Sequence, residues 1–92
     1  MKFITTWSLR PGALQPAVDR FLAGEGQPPA GTKLLGRWHN IDGSGGFSLM
    51  ESDNPAAMHE AAAVWMDLLE LHTHAVVEDA DAGAVLQKVF KK

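Results

Sequence analysis

Cysteine is absent from this 92-residue chain. Its absence excludes a disulfide-stapled secreted scaffold, a thiolate metal site and a catalytic thiol. Charge of one sign is also in short supply, with a formal net charge of −3 and no polarity along the chain beyond the short Lys91-Lys92 end. Without a basic patch to release counterions from phosphates, nucleic-acid binding is not expected. No apolar run approaches the ~20 residues that span a bilayer, so no membrane association is expected. The Met1–Trp7 start carries one basic side chain but no apolar stretch and no small-residue cleavage site, and it reads as a strand rather than a signal peptide. A cytoplasmic location is the expectation. There is no nucleophile elbow and no closely spaced carboxylate pair, which leaves catalytic residues unassigned.

What the chain does have is a hydrophobic share of 46%, ordinary for a globular protein. Its length suits a single domain over residues 1–92. Such a domain buries only about 60–65% of the surface its unfolded chain exposes. With disulfides excluded, association with a second subunit is the remaining way to bury more apolar area.

Residues 2–8 are rich in β-branched and aromatic side chains and read as a strand, broken by Arg10-Pro11-Gly12. Leu14, Val18, Phe21 and Leu22 then recur at helical spacing from Ala13 to Ala23, with Pro16 tolerable in the first turn. Gly24 to Gly31 is a turn-rich loop. Two strand-like runs, 32–41 and 46–52, flank Asp42-Gly43-Ser44-Gly45, a hairpin signal. The glycines there lead into a strand, not a helix, so they do not form a phosphate loop. Asp53-Asn54-Pro55 starts a second helix expected to run to about Leu69. Residues 71–78 return to strand character, and Ala80 to Lys92 form a third, amphipathic helix. The acids from Glu78 to Asp81 favour its N-terminus and the lysines its end.

The order is β-α-β-β-α-β plus a terminal helix. This predicts an α+β, ferredoxin-like fold with a four-stranded antiparallel sheet and two helices on one face. Both hairpin arms are apolar on alternate positions and nearly so on the others, as in Leu34, Leu35, Trp38, Phe47, Leu49 and Met50. A sheet with one solvated face would alternate cleanly, so both faces need cover and a homodimer is expected.

Leu35-Gly36-Arg37-Trp38-His39, Asp42-Gly43-Ser44-Gly45-Gly46-Phe47 and Glu51-Ser52-Asp53 carry a family resemblance. Thr6-Trp7-Ser8, Arg10-Pro11-Gly12-Ala13, Trp65 with Asp67-Leu68-Leu69, and Val76-Val77-Glu78-Asp79 extend it over most of the chain. Together they resemble an uncharacterised prokaryotic family of domains of unknown function within the dimeric α/β-barrel superfamily. The resemblance implies two sheets facing each other in a barrel, helices outside, and a pocket between sheet and helical layer. Some members of that superfamily are cofactor-free monooxygenases, others act on haem or small lactones, and others have no known activity, so the fold does not fix the function.

Trp7, Trp38, His72 and His74 are the candidate ligand-binding residues, indoles and imidazoles being common in small-ligand pockets. His72 and His74 leave one face of their strand. His39 lies about 14 Å away at ~4.8 Å per strand spacing, too far for a metal site within one subunit, and none is expected. His59 falls on the polar side of the second helix. If Trp38 pairs with even-numbered residues of the third strand, it shares a face with Leu34, Ser48 and Met50. Arg37, His39, Phe47, Leu49 and Glu51 then form the candidate dimer face, with Arg37 and Glu51 as a cross-strand ion pair. The function expected is a homodimeric, cofactor-free domain that binds a small molecule. The alternatives are a monooxygenase-like or isomerase-like enzyme using a pocket histidine as general base, and a pure assembly module.

Overall fold

The structure, a computed structural model, describes residues 1–91. Four strands, β1 (Lys2–Leu9), β2 (Lys33–His39), β3 (Gly45–Glu51) and β4 (Leu69–Val76), form one antiparallel sheet in the order β2-β3-β1-β4. Helices α1 (Leu14–Arg20) and α2 (Pro55–Ala63) lie in the two crossovers, and α3 (Asp79–Phe90) follows β4. This is the ferredoxin-like α+β order that the sequence predicts.

Local chemistry accounts for most boundaries. α1 continues into a wide π-type turn over Phe21–Glu25, within which Gly24 breaks the helical run at φ 84°, open to a residue without a Cβ. Asn54 caps α2, its side-chain oxygen accepting from the backbone N–H groups of Ala56 (3.0 Å) and Ala57 (3.3 Å), with Pro55 in the first helical position. In the β2–β3 hairpin, Asp42 accepts from the Ser44 N–H (3.0 Å) and the Ser44 hydroxyl (2.6 Å).

The first difference from expectation lies in element boundaries. α2 stops at Ala63, and Leu69 opens β4 opposite Leu9. Tightened turn bonds from Trp65 N–H to Ala62 O (3.0 Å) and Leu68 N–H to Trp65 O (3.0 Å) carry the chain between them. The terminal helix ends at Phe90; Lys92, expected within it, lies outside the described residues.

The second difference is in β2. Leu34 pairs with Met50 and Gly36 with Leu49, so the ladder skips Leu35 in a β-bulge. Side chains alternate along a strand, and one extra residue reverses every later assignment. Leu34 therefore faces the helices with Met50, while Trp38 pairs with Phe47 on the opposite face. Arg37 and His39 turn to the helical side, opposite Ser48 and Gly46.

The core is thin. Phe3, Met50 and Met58 form its buried cluster, with Leu34 and Ala61 packed against it. Among the described residues no large side chain is fully buried. α3 buries none of its residues, and its Val85, Leu86, Val89 and Phe90 stripe is exposed. Its first turn is tied to the sheet by an ion pair between Lys2 and Glu78, so Glu78 acts as an ion-pair partner and not as a side-chain cap.

Candidate functional site: a cavity between sheet and helices

A cavity of about 290 Å³ separates the helical layer from the sheet. Its floor is the helix-facing side of the strands, with Thr5 and Trp7 of β1, Ser48 and Met50 of β3, and Leu69 and Leu71 of β4. Its roof is Ala17, Val18 and Phe21 from α1 and the turn after it, then Met58 and Ala61 of α2, and Trp65 beyond α2. Gly46 stands opposite Trp7, where a Cβ would come within 2.7 Å of the Trp7 ring; the bare backbone lets the indole lie against the strand.

Arg20 fastens the roof. Its guanidinium donates two parallel bonds to the Asp67 carboxylate (2.9 Å each) and a third to Val64 O (2.9 Å), and it lies 5.3 Å from the Trp65 ring centre. This forked geometry suits arginine and joins the end of α1 to the turn between α2 and β4. The hydrogen bonds from Arg20 hold the Asp67 carboxyl below its ordinary value of 3.8.

At the β2 side of the cavity stand Arg37 and His39. Arg37 Nη2 donates to Gly26 O at 2.6 Å, and its guanidinium lies 5.8 Å from the Phe21 ring centre. Partial burial pushes its pKa down from the usual arginine value, although a guanidinium remains a cation at any ordinary pH. The His39 ring meets the edges of Trp7 (5.6 Å, 78°) and Phe21 (5.3 Å, 66°). Thr5 and Thr73 share a hydroxyl hydrogen bond of 2.8 Å across β1 and β4.

The candidate ligand-binding residues Trp7, Trp38, His72 and His74 are thus divided between two faces. Trp7 lines the cavity. Trp38 lies on the open face, stacked on Phe47 at 5.0 Å and 23°. His72 and His74 are exposed on that same open face, opposite Thr6 and Ile4, and His72 Nε2 lies 3.8 Å from Glu70. The proposed dimer face divides too. Phe47, Leu49 and Glu51 share the open face, whereas Arg37 and His39 belong to the cavity. The expected Arg37–Glu51 pair does not form, because the bulge sets Lys33 opposite Glu51 and Arg37 opposite Ser48. Phe21 and Trp65 were not foreseen as cavity walls. Gly36 within a strand was the available signal for the bulge that moves Arg37 and His39. Among the described residues no group of three or more His, Cys, Asp or Glu side chains is placed to hold a metal ion.

Sheet order and crossover helices define a ferredoxin-like α+β domain with an apolar, aromatic-walled cavity beneath its helices. By its sequence the chain belongs to the domain of unknown function family DUF3303, whose model matches residues 1–90. No curated protein and no solved structure matches it.

The Arg20–Asp67 link carries a pH prediction. Because the folded Asp67 value is depressed, its contribution to stability is complete above the unfolded value near 3.8 and is lost as pH falls through the lower folded value. Denaturation of wild type and Asp67→Asn between pH 6 and pH 2 is expected to show wild type more stable at the upper end. The difference should close towards the lower end.

Proposed function

We propose that this chain is a homodimeric small-molecule-binding domain whose ligand occupies the cavity between sheet and helices. The observation that carries the reading is the cavity itself: walls of Trp7, Phe21, Met58 and Trp65, with few polar groups, are the composition of small-ligand sites. Among the described residues no carboxylate lines it, and His39 is its one histidine. An enzyme with a pocket base would therefore have to use His39, since His72 and His74 stand on the other face.

The homodimer rests on exposed area. The single chain exposes 6507 Å², whereas a folded monomer of this mass exposes roughly 5,200 Å². The excess exceeds the roughly 800 Å² that each partner buries in an ordinary stable interface. Its radius of gyration is 15.7 Å, against roughly 12 Å for a compact chain of this length. Two of the exposed apolar surfaces are the Trp38–Phe47 stack on the open sheet face and the α3 stripe; Leu14, Val18, Phe21 and Leu22 of α1 and the turn after it form another. A second copy would supply equally apolar surfaces to cover the sheet face and the α3 stripe. The alternative, an assembly module alone, draws on α3, an amphipathic helix with nothing buried beneath it in its own chain.

Naphthalene, a neutral apolar probe, is expected to shift the indole N–H resonances of Trp7 and Trp65 and leave that of Trp38 in place. Ala61→Trp, which fills the cavity, should abolish those shifts. If the shifts survive in a folded Ala61→Trp protein, or centre on Trp38, the cavity is not the ligand site. Light scattering at low micromolar concentration should give about twice the 9.9 kDa chain mass. Phe47→Asp and Leu86→Asp, compared separately, should each raise the dimer dissociation constant about tenfold or more if both surfaces are covered. A stable wild-type monomer would contradict the dimer and leave the binding reading to the naphthalene result.

A further inference from the structure

We infer that the cavity selects an apolar monocarboxylate, its acid group held at Arg37 and its body lying among the rings of Trp7, Phe21 and Trp65. This rests on the reading of the cavity as a ligand site and names the chemistry that site would take.

The charge around the cavity is one-sided. Among the described residues Arg37 is the only arginine or lysine that lines it, and no carboxylate does. Arg20, by contrast, is paired with Asp67 through two hydrogen bonds, donates a third to Val64 O and has Glu25 3.8 Å away. Arg37 is different. Among the described residues its side chain makes one hydrogen bond, to Gly26 O, and forms no ion pair. A guanidinium carries five N–H donors, so most of the Arg37 fork is left for another acceptor. It is held half-buried between the Gly26 carbonyl and the Phe21 ring, which fixes its position without neutralising it. A partly desolvated cation gains from a counter-charge, and the planar fork matches the two oxygens of a carboxylate.

The remaining walls restrict the ligand further. Besides Arg37 and His39, the polar side chains lining the cavity among the described residues are Thr5, Ser48 and Gln27, and Thr5 is already bonded to Thr73. One guanidinium, with His39 beside it, suits a single negative charge. A phosphate would need several more donors than the apolar walls provide. The aromatic rings suit a flat or compact hydrocarbon body, gaining from its transfer out of water.

Calorimetric titration with naphthalene-2-carboxylate and its neutral isostere naphthalene-2-carboxamide separates charge recognition from apolar filling. Wild type is expected to bind the carboxylate about tenfold or more tightly than the amide. Arg37→Gln should remove that preference, weakening the carboxylate about tenfold or more beyond any loss for the amide. In the wild type the Arg37 Nε–H resonance should shift with the carboxylate and not with the amide, a readout that needs no substitution. Equal affinity for the two probes, or equal weakening of both by Arg37→Gln, would overturn this inference and leave the apolar binding site standing. Binding of neither probe would overturn both.

Discussion

Between Leu34 and Gly36 the β2–β3 ladder passes over one residue, and the contents of both sheet faces depend on that skip. Alternation along a strand is strict, so a bulge cannot shift one side chain without exchanging all that follow. Leu34 stays with Met50 in the core, while Arg37 and His39 go to the cavity and Trp38 goes to Phe47 on the open face. Gly36 makes the exchange possible: the Trp38 ring lies over it, in space a Cβ would occupy. An unbulged β2 would point Trp38 towards the helices and leave the cavity without its cation.

The second constraint is size. A sheet of four short strands has two faces, and two short helices cover one of them incompletely. The result is a narrow core around Phe3, Met50 and Met58 with an open volume beside it. Arg20 and Asp67 hold the helical layer over that volume by side-chain bonds. The same shortage leaves Trp38, Phe47 and the α3 stripe in water. The proposed ligand and the proposed second copy would both answer this one deficit of burial.

Much of the architecture was legible in the residues. The Asp42-Gly43 turn, the Asn54-Pro55 helix start and the Gly24 stop act through local backbone chemistry, and each appears where the sequence places it. The strand order follows from the β-α-β-β-α-β pattern. The end of α2 was harder, because Trp65, Leu68 and Leu69 continue a helical spacing until strand pairing with Leu9 takes Leu69 into β4. The site was read less well. Two-residue alternation extrapolated across Gly36 gave Trp38 the place that Arg37 and His39 occupy. His72 and His74 were correctly set on one face of their strand, but nothing local says which face meets the helices. That is decided by Thr73 pairing with buried Thr5.

The nuclear Overhauser spectrum of the wild-type protein tests the bulge most directly. Contacts are expected from the Trp38 indole to the Phe47 ring, and from the His39 ring to Trp7 and Phe21. Contacts from Trp38 to Met50 or Ser48, with Arg37 and His39 against Phe47 and Leu49, would contradict it. The cavity would then lose its cation, and the proposed ligand chemistry would fall with it.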